Sequence, residues 1–275
     1  MEAEAIIAYV VSDDTLKLLN IIDDKQSVVS TAEIMTMAII SALFYAGNIE
    51  KARKALHSPR YISNMLSKSQ LNRRLHKISP NVWNAVLERF FNEAKNHDMV
   101  SEFVADSFPL PACKLVRQRS TKLYTDKSYL GYCAVRQEFF LGFKLHMICD
   151  VFGHPKQMLF LPASTSDIAG LRAIDLQLPK NSALYADKAY NDYCYEDRLI
   201  QEKQIHLMPI RKKNSVRKGG GHLAKIRQRK RKIIETAFSC IEKLLPRSIH
   251  AVTIAGFILK STLFVVAYAL TKAAF

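Results

Sequence analysis

Residues 139–164, FFLGFKLHMICDVFGHPKQMLFLPAS, limit the fold of this chain more than any other stretch. Two strand-like runs flank the turn Asp150 to Pro155, where Gly153 gives the freedom a tight reversal needs. Ahead of them lies a short strand within SEFVADSF (101–108), then a loop rich in Lys, Arg and Pro. A helix is predicted behind them from about Ser166 to Leu178, capped by Ser166 or Thr165. SALYADKAY then reads as a strand, NDYCYEDRLIQEKQ as a helix and IHLMPI as a strand; two helices close the chain near 223–245 and 252–273. Strands in a meander, followed by strands alternating with helices, argue for an α/β domain with a mixed sheet flanked by helices.

The first hundred residues have a different texture. EAIIAYVVSDDTLKLLNII and TAEIMTMAIISALFYAGNIEKARKAL carry apolar residues at helical spacing, with Thr31 and Glu33 marking a start. Two more helices follow, separated by Ser79-Pro80. The shorter of them is basic (Lys68, Arg73, Arg74, Lys77), which suits either a DNA-reading element or an ordinary solvated face. The chain therefore divides into an all-helical region, 1–98, and an α/β domain, 99–275, with no internal repeat. The order β-β-β-α-β-α-β-α in the second part is that of a ribonuclease H-like domain.

Charge narrows the partners. Forty Lys and Arg against 25 Asp and Glu leave a formal net charge of +15, which points to a polyanion and first to nucleic acid. An anionic membrane surface would call for a basic amphipathic helix with an aromatic face, and none is found. The apolar stretch 251–275 is broken by Lys260 and Lys272 and reads as a buried helix rather than a span of about 20 residues. The N-terminus, MEAEAIIAYV, carries acids where a secretory leader carries bases. Five cysteines (113, 133, 149, 194 and 240) form no CxxC pair, which speaks against zinc and disulfide frameworks and for a reducing cytoplasm.

Within that basic chain, three acids stand where chemistry is possible. Asp106 lies in the first strand, Asp187 directly follows the strand ALYA, and Glu235 sits at the border of the buried stripe Ile234, Phe238, Ile241, Leu245. Crowded carboxylates repel, and Mg²⁺ relieves that repulsion as a hard ion that takes oxygen ligands. Two such ions about 4 Å apart can activate a water or a 3′-hydroxyl for in-line displacement at phosphorus. Each acid also has a plainer reading: Asp187 as a turn former or cap, Asp106 as a turn residue before Pro109 and Pro111, Glu235 as a rim partner of Arg231. Position alone leaves both open.

The ordered motifs add a resemblance. LSKSQLNRRLHKI, VADSFPLPACK, GFKLHMICDVFGHP, PASTSDIAGL, LYADKAYND and RKRKIIETAFSCIEKL together resemble DDE transposases of bacterial insertion sequences, most closely the insertion-sequence family numbered 982. The resemblance implies a catalytic and metal-binding triad of Asp106, Asp187 and Glu235, with 80 and then 47 residues between successive members. It further implies Mg²⁺, with Mn²⁺ as a substitute, double-stranded DNA as partner and a homo-oligomer acting on two DNA ends. Related families carry a Tyr-x2-Arg-x3-Glu-x6-Lys pattern. Arg231 and Glu235 match it, while Gln228 and Glu242 stand at the tyrosine and lysine positions, so the pattern does not define the cleavage intermediate.

The remaining candidates are cations. Lys144 and His146 alternate on one strand and share a face, either toward DNA phosphate or simply outward. Lys188 resembles the family's Asp-Lys pair and suits phosphate binding as a point charge. Asp167 resembles an acid of the helix-opening block but also suits the helix macrodipole. The run 211–232 holds eleven Lys or Arg, including Arg227 and Arg231, and no acid. Because it leads into the helix of Glu235, contact with DNA phosphate near the active site is expected rather than a merely solvated segment. The expectation is a transposase. A nuclease of the same fold without strand transfer and a catalytically silent DNA-binding regulator are its rivals.

Overall fold

The computed structural model describes residues 1–94, 100–114, 123–133, 136–212, 214–217 and 221–273. Two compact units are present: residues 1–97 together with 240–275, and residues 98–239.

The first unit is helical among its described residues: α1 (Glu2–Leu18), α2 (Thr31–Phe44), α3 (Ile49–Leu56), α4 (Lys68–Leu75), α5 (Pro80–Glu93) and α9 (Ile254–Ala273). Ser30, not Thr31, caps α2: its hydroxyl accepts from the Glu33 amide at 3.1 Å, and the Glu33 carboxylate accepts from the Ser30 amide at 2.6 Å. The pattern read as one helix over 31–56 is broken. Ala46 and Gly47 turn the backbone with positive φ (48° and 78°), and Asn48 restarts it by accepting from the Lys51 amide. Apolar periodicity carried straight through that corner because both arms bury the same kind of face.

The C-terminal stretch departs from the expected division. Residues from Cys240 onward group with the N-terminal helices rather than with the sheet, and α9 packs on α2 and α5. Every residue from Ser261 to Leu270 is buried, as in a helix apolar all round that forms the centre of a helical unit. By length and composition α9 alone among the described helices could also cross a membrane, but about two thirds of its apolar window is already covered by protein. The other edge of the expected division, at 98/99, lies outside the described residues.

The second unit is a six-stranded mixed sheet. Its strands are β1 (Glu102–Lys114), β2 (Leu130–Cys133), β3 (Glu138–Asp150), β4 (Pro155–Pro162), β5 (Ala183–Ala186) and β6 (His206–Pro209). The order runs β2-β3-β1-β5-β6, with β4 also on β3; β1 is antiparallel to β3 and parallel to β5. Helices α6 (Asp167–Ala173), α7 (Tyr193–Lys203) and α8 (Gly221–Leu244) complete the chain order. At the β3–β4 turn, Asp150 accepts from the Phe152 and His154 amides at 2.8 and 2.9 Å and pairs with the His154 ring at 2.7 Å. That is the turn role expected of it.

β1 is longer than SEFVADSF suggested, because Pro109 and Pro111 do not end it. They pair in register with Lys144 and Gly142 of β3, and β5 stops at Ala186 opposite Ala105. The edge beyond is open, and prolines are tolerated there because no ladder bond is lost. β2 was not anticipated; four residues in a loop rich in polar side chains carry too little pattern. Conversely, α6 ends at Ala173, five residues short of the expected Leu178.

Candidate functional site

Alternation along β1 sorts its side chains onto two faces. One face meets α8: Glu102 accepts from Lys230 at 2.7 Å, and Phe108 stacks on Phe238 with ring centroids 5.3 Å apart. Asp106 lies between those two contacts on the same face. The opposite face meets α6: Ser107 donates to Asp167 at 2.6 Å, and Ser107 stands in register with His146.

Three acids from separate elements converge on one guanidinium. Arg231 places Nε 3.6 Å from Asp106 of β1, Nη1 3.5 Å from Asp187 and Nη2 3.3 Å from Glu235, one turn further along α8. Asp187 directly follows β5, and it caps the 3-10 turn Lys188–Tyr190 by accepting from the Lys188 amide at 2.6 Å. Its plainer reading as a cap is thus realised, and the same oxygen that accepts from the Lys188 amide also faces Arg231. Among the described residues no three acidic, histidine or cysteine side chains stand close enough to hold a metal ion as they are. Instead, the three carboxylates are grouped around the Arg231 guanidinium, whose charge offsets their mutual repulsion.

Electrostatics mark Asp106 as the strained member. Burial, with the nearby Asp187 and Asp167 charges, pushes its carboxyl up to about 6, against the Ser107 amide and Arg231, which favour the ionised form. Tyr190, 1% exposed, lies near Asp106, Asp167, Asp187 and Arg231, and burial raises its phenol well above the usual range. It is a neutral wall to the cluster that the sequence did not single out. Its only signal was a tyrosine three residues past the acid.

The predicted cations fare unevenly. Lys188 and Arg73 are exposed and open to solvent. Lys144 reaches back to the Thr165 carbonyl at 2.9 Å and to Asp167 at 3.3 Å, holding the start of α6. Arg74 is engaged with the Val29 carbonyl and with Asp23 at 3.0 Å, so it ties α4 to the α1–α2 loop and is not presented to a polyanion. Arg227 has a buried Nε with no hydrogen-bond partner, and burial lowers its pKa. In the basic run, Arg211 is bidentate to buried Glu196 at 2.6 and 2.7 Å, and Arg217 to Asp197 at 2.8 and 2.7 Å. Those two cations dock the run on α7; Lys213 and residues 218–220 lie outside the described residues.

His146 requires correction. It is 2% exposed beneath α6, so it cannot reach DNA phosphate. A Cβ on Gly170 would come within 2.1 Å of its ring, so α6 crosses it at a glycine. Neither ring nitrogen has a hydrogen-bond partner, and burial pulls the imidazole down to about 4. The face that Lys144 and His146 share is the one α6 covers. His146→Leu is therefore expected to leave DNA affinity within about twofold and not to lower the melting temperature, since it removes two unpaired buried polar atoms. Thermal melting and a gel-shift titration check both parts.

Fold and site together define a mixed α/β protein with carboxylates from a central strand, a strand end and a helix gathered around one cation. The family model described as "Transposase DDE domain" matches residues 96–250, and the chain belongs to that family. No curated protein matches, and no solved structure does.

Proposed function

We propose that this protein is a Mg²⁺-dependent DNA transposase of a bacterial insertion sequence, most similar to the insertion-sequence family numbered 982. It would bind the terminal inverted repeats of its element, hydrolyse a phosphodiester to free a 3′-hydroxyl and join that end to target DNA. The observation that carries this reading is the meeting of Asp106, Asp187 and Glu235 within 3.6 Å of one guanidinium. The strand order β4-β3-β1-β5-β6 suits a ribonuclease H-like sheet, with the acid-bearing β1 at its centre.

Hard carboxylate oxygens already facing a cation suit Mg²⁺, and Mn²⁺ in its place. Asp106, Asp187 and Glu235 would hold it. When bound, the metal supplies activation of a water or 3′-hydroxyl and stabilises the leaving oxygen. The chain's own part is to gather the three acids, to seal their inner side with Tyr190, and to meet the DNA backbone with exposed cations such as Lys188, Arg73 and the basic face of α8. Helices of the first hundred residues would read the ends. A homo-oligomer on two DNA ends, acting on the nucleoid in the cytoplasm, completes the proposal.

A joining assay tests it. With Mg²⁺ and pre-cleaved end DNA carrying a 3′-hydroxyl, the protein is expected to yield a covalent product with target plasmid. Cutting without joining would make it a nuclease. Salt-sensitive binding with neither reaction would make it a silent regulator.

A further inference from the structure

Arg231 pairs differently from Arg211 and Arg217 of the same unit. Arg211 and Arg217 each grip one carboxylate with two short hydrogen bonds of 2.6–2.8 Å. Arg231 instead turns each of its three nitrogens to a different acid, at 3.6, 3.5 and 3.3 Å, and completes a short bond with none. Its Nε is buried and has no hydrogen-bond partner. An arginine placed for stability alone would be expected to complete short bonds to one carboxylate, as Arg211 and Arg217 do. This one occupies the electrostatic centre of three carboxylates while committing to none. One positive charge against three negative ones leaves the cluster short by the charge of a divalent ion. The side chain is a third exposed and stands one helical turn before Glu235, so it can swing outward by rotamer change with the backbone in place.

We infer that Arg231 is the resident counterion of the carboxylate cluster: it holds the three acids face to face in the metal-free chain, and a divalent cation loads by displacing it. The inference rests on the proposed metal role of the triad. Two consequences follow. Arg231 competes with the metal, because like charges a few ångströms apart repel. It also preorganises the ligands, because without it the carboxylates repel one another.

Calorimetric titration of Mn²⁺ alone into the full-length protein separates these effects. The Arg231→Met protein is expected to bind Mn²⁺ at least about fivefold more tightly than the parent, after discount for screening at a partly exposed site. Arg231→Lys, with the charge kept on a stem lacking the planar fork, is expected to fall between them. In EDTA the Met variant is expected to melt lower than the parent, and Mn²⁺ to raise its melting temperature by more. Far-UV circular dichroism confirms that each variant is folded; if Arg231→Met is not, Arg231→Lys alone decides, by binding Mn²⁺ more tightly or not. Parent-like or weaker Mn²⁺ affinity in a folded variant overturns the counterion role while leaving the metal triad intact. Mn²⁺ binding in the parent that survives Asp187→Ala, or no binding at all, overturns the triad and the counterion role with it.

Discussion

Asp187→Ala is expected to nick insertion-sequence end DNA at least about a thousandfold more slowly than the parent chain in Mg²⁺, a barrier increase of about 4 kcal/mol. Asp106→Ala and Glu235→Ala are expected to match it, and double replacements to add little. Residues acting as one unit lose their effect together. DNA binding is expected to survive. Removing an acid from a surface that meets phosphate takes away a repulsion, so metal-free affinity should hold or tighten slightly, with the salt dependence unchanged because no phosphate-contacting cation is lost. The two readouts move in opposite senses, which a misfolded variant cannot imitate. Single-turnover cleavage of labelled end DNA and a salt-titrated binding curve measure them. Nicking at the parental rate by Asp187→Ala would remove the acid from the reaction.

How much of this was legible beforehand follows from the range of the forces involved. The acids could be found because each closes or borders an apolar run: Asp187 ends ALYA, Asp106 follows Phe103 and Val104, and Glu235 flanks Ile234 and Phe238. Local pattern carries that information. What Arg231 touches was only partly visible, since its bond to Glu235 is a helical neighbour relation but its approaches to Asp106 and Asp187 depend on how β1 and β5 pair. Helical spacing already suggested the Glu235 contact; sheet pairing supplied the other two.

His146 and Arg74 failed because local pattern does not reveal long-range partners. Alternation tells which residues share a strand face, not what covers it, and a basic helix does not reveal that Arg74 pairs with Asp23. Lys144 gave that face a polar look, and α6, crossing at Gly170, buried half of it. The allotment of α9 was missed similarly. A run such as FVVAYAL is equally apolar against a sheet or against helices, and only long-range packing on α2 and α5 decides.

Asp106→Asn is expected to stabilise the metal-free protein while abolishing cleavage. Burial raises the Asp106 carboxyl from 3.8 to about 6, so the folded chain prefers it protonated. Its favourable contribution is complete below pH 4, where folded and unfolded chains both carry the proton, and is lost as pH rises through 6. At pH 8 the folded protein therefore holds an ionised group that would rather be solvated, a penalty of about 1–3 kcal/mol. Asparagine keeps the shape, retains an oxygen to accept from the Ser107 amide, and carries no charge. In EDTA at pH 8 the variant is expected to melt about 3–8 °C above the parent, and at pH 4 the two are expected to coincide. Adding Mg²⁺ should close the gap from the other side, because a bound cation makes the ionised carboxylate the favoured form and raises the parent alone. Melting curves across pH 4–8, with and without Mg²⁺, carry the test. A variant that melts no higher than the parent at pH 8 would mean that Arg231 and the surrounding dipoles already compensate the buried charge, and that the strain assigned to Asp106 is not there.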